Sequence, residues 1–215
     1  TCEVGLTVDH RVADGADGMK PRIRAICDEA ETAVRSGATI VVLSDREVDA
    51  ANAPIPMTLL AGAVHHRLIQ AGIRMQASIV VVSGEPRDSH DLAMLIAVGT
   101  SAVNPYLAID QVSALAADGI VRLDPIVAQE NYRSALQSGL LKVMSKMGIS
   151  TVSAYRGSEL FEVIGLDSEV AELCFRNAPR RTGGLGLVDL AERALQLHSG
   201  YVEGEEFVGG FYKQR

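Results

Sequence analysis

The sequence predicts an α/β fold: a parallel βα-repeat, either half-barrel-like or a small open sheet, followed by a helix-rich segment. Three observations predict it. Short, continuous, β-branched apolar runs at 38–43 and 77–82 are of the kind that a parallel sheet buries on both faces. Between such runs, apolar residues recur at helical spacing. Strands and helices then alternate, which calls for βαβ units with right-handed crossovers. Periodicity does not separate the half-barrel from the open sheet.

Taken in order, residues 3–8 read as a short strand, followed by a turn-rich stretch holding Asp14-Gly15 and Asp17-Gly18. Residues 20–36 read as an amphipathic helix in which Ile23, Ile26, Cys27, Ala30 and Val34 share a face, ended by Gly37. Strand 38–43, helix 56–71, strand 77–82, helix 90–98, strand 102–104 and a shorter helix 110–117 follow. Residues 120–125 are irregular and mark an expected division between a first domain, 1–122, and a second, 123–215. A long helix over 126–147 opens the second, with Tyr132, Leu136, Leu140, Val143 and Met147 as its inward stripe. Gly139 interrupts that pattern. An interior glycine costs about 1 kcal/mol relative to alanine, so close packing or a break is expected there. Gly148 suits the left-handed position that ends a helix. Residues 149–154 have strand character and close on Tyr155-Arg156-Gly157. Helices over 168–175 and 187–198 complete the pattern.

Length and charge bound the function. A chain of 215 residues with 47% hydrophobic content can hold one large domain or parts of two. A net charge of −7 argues against nucleic acid, which needs a basic face. No apolar run approaches the roughly 18 residues of a membrane span, and no signal peptide is visible, so a cytoplasmic location is expected. Cys2, Cys27 and Cys174 are far apart, which suits reduced thiols and forms neither a zinc nor an iron–sulfur ligand run. Both ends read as cut: Thr1 stands first, and the apolar FVGGFY at 207–212 lies just before the last residue.

In a parallel sheet, function gathers beyond the carboxyl ends of the strands. Polar clusters fall at three such ends, giving a candidate rim of Ser44, Asp45, Ser83, Gly84, Glu85, Asn104 and Tyr106, with Arg46 alongside. The plain reading of the same residues is turn and helix-capping roles. Lys142, Lys146 and Arg156 are candidates for an interface or an anion contact, the plain alternative being cations that complement a helix C-terminus. His65 and His66 fall mid-helix, about 100° apart, so they cannot chelate one ion together. With Leu60, Val64 and Leu68 setting the buried stripe, they read as surface or interface histidines. His90, between Asp88 and Asp91, reads as a helix start. The Gly183-Gly184-Leu185-Gly186 turn lacks the partners of a phosphate loop and reads as a plain loop. His10-Arg11-Val12-Ala13-Asp14-Gly15 matches the His-x-x-x-Asp-Gly pattern of certain acyltransferases, but there it follows most of the fold and here it precedes it. No catalytic residue and no metal site are assigned.

Several collinear blocks add a family resemblance. LSDR at 43–46, APIP at 53–56, AVHHRLI at 63–69, SGEPR at 83–87 and NPYLA at 104–108 resemble the end of the central domain of the glutamate synthase large subunit. GLLKVMSKMGIS at 139–150, followed by YRG, resembles the segment that opens its FMN-binding synthase domain. Where that family usually shows paired histidines, this chain has Ser89-His90-Asp91. The resemblance implies a parent reaction in which ammonia, released from glutamine in an amidotransferase domain, passes through a tunnel to 2-oxoglutarate, and FMN reduces the imine. Electrons would arrive through a 3Fe-4S cluster from a NADPH-dependent small subunit or from ferredoxin. The cofactors would sit in the remaining domains and none in this chain, which would act as inter-domain scaffold and be inactive alone. The competing expectation is a free-standing α/β module that binds a small anionic metabolite at the rim.

Overall fold

The computed structural model describes residues 2–5, 7–9, 15–49 and 52–199. The strands are β1 (Cys2–Gly5), β2 (Thr7–Asp9), β3 (Ile40–Ser44), β4 (Asn52–Pro54), β5 (Ser78–Val82) and β6 (Ala102–Asn104). The α-helices are α1 (Met19–Arg35), α2 (Met57–Gln70), α3 (Ser89–Ala97), α4 (Tyr106–Ala117), α5 (Pro125–Lys146), α6 (Val152–Tyr155), α7 (Ser168–Cys174) and α8 (Leu187–His198). A parallel four-stranded sheet runs in the order β1-β3-β5-β6, and β2 pairs antiparallel with β4 in a separate ribbon. The α/β class with a parallel βα-repeat is therefore observed. Because neighbouring strands follow one another in sequence, right-handed crossovers place α1, α2 and α3 on one face of the sheet.

That face is the core. Val41, Leu43, Ile79 and Val81 are fully buried beneath Ile23, Ile26, Leu60 and Val64. The other face is not covered in the same way: Ile40 is 38% exposed, and Val42, Val80 and Val82 are half-buried. The strands are thus buried on one face and only partly on the other, where their continuous apolar character suggests burial on both. The core continues across residue 122, since Val163, Val170, Cys174, Leu187 and Ala191 belong to it.

Three local expectations change. The stretch 3–8 forms two strands, because β1 follows β3 and β2 pairs with β4. Residues 149–154 are not a strand. Thr151 Oγ1 accepts the Ala154 N–H and caps the single helical turn of α6, a local side-chain bond that outcompetes extension. On α5 the buried line is Ala128, Leu136, Leu140 and Met144. Val143 and Tyr132 are half-buried and Met147 is exposed, because α3 and α4 meet the helix along that narrow line. Tyr132 reaches outward to donate its hydroxyl to the Arg87 carbonyl at 2.6 Å. Gly139 does not break α5; a Cβ there would lie 1.9 Å from Ser89 Oγ, so the glycine permits close packing on α3. Gly148 follows the helix with φ +73°, as expected.

Helix α2 departs most from its expected setting. Ten of its fourteen residues are buried, His65 and His66 among them. The helix packs against α1, α3, α7 and β5, so it has no solvent face along its middle. A helix enclosed on several sides buries polar residues that a one-sided stripe would expose. At Gly62 the approach is closest: a Cβ would stand 2.2 Å from the Cys174 carbonyl oxygen on α7.

Candidate functional site

The rim at the carboxyl ends of β3, β5 and β6 centres on Asp45. Its N–H donates to the Val82 carbonyl at 3.2 Å, which continues the ladder and turns the side chain toward the neighbouring strand end. Ser83 Oγ donates to Asp45 Oδ2 at 2.6 Å, and the Gly84 N–H lies 3.1 Å from both carboxylate oxygens. Ser83 Oγ in turn accepts the Glu85 N–H at 3.1 Å. Ser44, Asp45 and Ser83 are all buried. Glu85 is exposed as a residue, but its carboxylate reaches back to accept the Met57 N–H at 2.8 Å. It thereby caps α2, whose own N-cap, Pro56, offers no side-chain acceptor, and places negative charge at the positive end of the helix. Lost hydration raises the Glu85 carboxyl pKa; the Met57 N–H opposes this, and the charges of Asp45 and Asp91 add to it.

Tyr106 opens α4 with its ring under the Arg46 guanidinium, 4.2 Å from the ring centroid. Lost hydration, then the Asp45 charge and a hydrogen bond to Asp45, push its phenol up to about 12. Five of the seven rim residues, Asp45, Ser83, Gly84, Glu85 and Tyr106, are thus brought together, while Ser44 Oγ accepts only the Arg46 N–H, at 3.4 Å. Asn104 takes part through its carbonyl, which accepts the Ser83 N–H at 3.1 Å.

A second polar cluster lies at the opposite, amino ends of β5 and β6. Arg74 spends its guanidinium on three acceptors: His65 Nδ1 at 2.8 Å, the Ala77 carbonyl at 2.6 Å and the Gly99 carbonyl at 2.6 Å. Burial, with the charges of Arg74, His66 and Arg156 adding, lowers the His65 pKa to about 3. Gly99, at φ +114°, could not carry a side chain, since a Cβ would stand 2.1 Å from His65 Nδ1. Beside it, Arg156 Nη1 donates to Ser101 Oγ at 3.1 Å, and Gly157 packs on His65 and Gly99.

His66 Nε2 accepts the Arg176 N–H at 3.3 Å and lies 3.0 Å from Glu159 Oε1. That nitrogen has one lone pair, so with the ring neutral the Arg176 N–H and a protonated Glu159 carboxyl would share it as a three-centre contact. Lost hydration favours the same arrangement, raising Glu159 and lowering His66. Glu159 also holds φ +51°, the single left-handed non-glycine among the described residues.

The remaining candidates are dispersed. Lys142 and Lys146 are exposed on α5. His90 donates its N–H to the Asp88 carboxylate at 2.8 Å, within a capping box that starts α3, as the sequence suggests. Gly183–Gly186 is a loop, and Gly186 caps α8. The His10–Asp14 pattern and FVGGFY lie outside the described residues. Arg74, Ser101 and Glu159 were not candidates. Each is a lone polar residue in its own stretch of sequence, and only the fold reveals that Arg74 and Glu159 meet His65 and His66 and that Ser101 meets Arg156.

The cofactors implied for the family can be tested against these groups. An iron–sulfur cluster needs several thiolates at one point. The two cysteines whose side chains are described, Cys27 on α1 and Cys174 on α7, share the core but are too few for a cluster, and burial pushes Cys27 up to about 12 and Cys174 higher still. Those residues do not fit the cluster. A flavin phosphate needs donors and positive charge, whereas the rim turns the Asp45 and Glu85 carboxylates toward the available N–H groups. The rim does not fit that phosphate.

Fold and site together define a small parallel α/β domain whose strand-end groups bond mainly to one another. Residues 2–167 match the family described as glutamate synthase central domain. The ferredoxin-dependent glutamate synthase of Pyropia yezoensis is 38% identical over 201 residues, covering 88% of this chain and 13% of that protein. The glutamate synthase [NADPH] large chain of Azospirillum brasilense is 39% identical over 208 residues, 95% of this chain and 14% of that one. The glutamate synthase [NADH] of Schizosaccharomyces pombe is 38% identical over 188 residues, 86% and 9%. The chain belongs to the glutamate synthase family, and spans between 9% and 14% of the length of these relatives.

Proposed function

We propose that this chain is a structural section of a glutamate synthase, a rigid spacer that holds the amidotransferase and FMN-binding synthase domains in register and forms no glutamate by itself. In the whole enzyme, glutamine and 2-oxoglutarate would yield two glutamates in the cytoplasm. The electrons would come through FMN and a 3Fe-4S cluster from a NADPH-dependent subunit or from ferredoxin. One observation carries the spacer reading: the polar groups at the strand ends are consumed internally. Asp45 is engaged by Ser83 and Gly84, and Glu85 by the first turn of α2. A groove of about 630 Å³ near Met147, Leu160, Phe161 and Pro179 is no better equipped, since its carboxylates, Glu159 and Glu162, face His66 and Arg181. Neither place turns a free acid, base or nucleophile toward a substrate.

The test is an assay of the purified 215-residue chain with glutamine, 2-oxoglutarate and a reduced donor, together with its visible spectrum. No glutamate above the blank and no flavin absorption are expected; steady turnover would overturn the reading. A companion measurement is the mass of the native polypeptide detected by an antibody raised against this chain. A species far above 22.9 kDa supports the spacer, and one of that mass refutes it.

A further inference from the structure

The cluster at the amino ends of β5 and β6 has an imbalance that the rim lacks. Arg74 and Arg156 lie close enough for their charges to interact, and neither has a carboxylate partner among the described residues. Among the described residues, half-buried Arg74 bonds only to neutral acceptors, and Arg156, also half-buried, only to the Ser101 hydroxyl. His65, between them, is neutral. Two neighbouring cations withdrawn from water without a counter-charge are costly, and folded proteins generally pair such charges. The Tyr155–Ser158 turn that carries Arg156 adds a hydroxyl, Ser158 Oγ, buried without a hydrogen-bond partner. Arg156 differs from Arg74 in having most of its five donors uncommitted in a planar fork that suits an oxyanion.

We infer that Arg156, with Arg74 behind it and Ser101 beside it, forms a binding site for a small oxyanion, a phosphate or a carboxylate, at the amino end of the sheet. The site is separate from the strand-end rim and does not depend on the spacer reading. Arg74 is the fixed part, anchored by two main-chain carbonyls and His65, and supplies charge. Arg156 is the part that closes on the ligand, exchanging or sharing its bond to Ser101.

The experiment is thermal unfolding of the 215-residue chain in inorganic phosphate and, separately, in sodium acetate. Each is compared with sodium chloride at equal ionic strength, for the wild type, Arg156→Gln and Arg156→Lys. A midpoint rise of roughly 3 °C or more over chloride is expected with at least one of the anions. Arg156→Gln should weaken that anion roughly tenfold, and Arg156→Lys should keep part of the effect. Without added anion, Arg156→Gln should unfold no lower than the wild type, because it relieves repulsion on Arg74. The stronger anion identifies the ligand as phosphate-like or carboxylate-like. Equal shifts in the wild type and Arg156→Gln, or no shift beyond chloride with either anion, would overturn the site.

Discussion

The two ends of the sheet solve the same problem in opposite ways. At the carboxyl end a buried carboxylate, Asp45, is surrounded by donors from the next strand, so a charge-bearing group and its partners close within one loop system. At the amino end, guanidiniums meet neutral imidazole, hydroxyl and main-chain carbonyls, and among the described residues no carboxylate joins them. The polarity of the two ends is similar, while their charge accounting is not. A polar cluster at the favoured end of a parallel sheet is therefore poor evidence for a ligand when its hydrogen bonds are already spent. An unfavoured end with uncompensated charge is the better place to look.

The largest expected effect tests the first half of that contrast. Asp45→Ala would leave the Ser83 hydroxyl and the Gly84 N–H without their acceptor at a site where Asp45 is 3% exposed. A loss of about 3 kcal/mol is expected in the urea midpoint at unchanged slope. Asp45→Asn, whose amide oxygen still accepts, should lose clearly less. If Asp45→Ala costs under about 1 kcal/mol, the rim is not a load on the fold and its residues become free for another role.

The amino end yields a pH signature. The His65 pKa is lowered in the folded protein to about 3, against an ordinary value near 6.5. Above that ordinary value both folded and unfolded chains are neutral at this residue and the full stability is present. Between about 6.5 and about 3 the unfolded chain takes up a proton that the folded one refuses, so stability falls as pH falls. His65 can contribute a slope of up to about 1.4 kcal/mol per pH unit in that window, and His66, shifted the same way, steepens it. His65→Gln should make the acid limb of a stability-against-pH curve shallower by about one proton. An unchanged limb would mean that Arg74 does not hold a neutral ring.

Much of the fold was legible because it rests on local rules. The residues Ile23, Ile26, Ala30 and Val34 repeat at helical spacing and do face the core, and Gly37 and Gly148 end their helices with positive φ. What escaped was decided by neighbours distant in sequence. His65 and His66 are buried because α7 and the 156–159 turn cover the side of α2 that a one-sided stripe leaves open. Residues 149–154 look like a strand in composition, but no strand is there to pair with them among the described residues, and Thr151 caps a helical turn instead. The rim residues do stand at the strand ends, but the sequence does not say that Asp45 would engage its neighbours. Hydrogen-bond closure depends on register between β3 and β5, which the residues alone do not state.

The smallest effect sharpens the contrast between the two acids. Asp45 is an acceptor surrounded by donors; Glu159 faces a neutral ring nitrogen, whose lone pair a protonated carboxyl would share with the Arg176 N–H. Glutamine at 159 can donate the same bond without needing a proton. With its folded pKa raised, Glu159 contributes fully below its unfolded value near 4.5, and that contribution is lost as pH rises through the folded value. Glu159→Gln should therefore match the wild type near pH 4.5 and exceed it by about 1 kcal/mol near pH 8. Glu159→Ala, which donates nothing, should fall below both at every pH. If Glu159→Gln is instead the less stable at pH 8, the carboxylate is charged there and His66 carries the proton. The amino end would then hold its own counter-ion, and the contrast with the rim would narrow to Arg74 and Arg156.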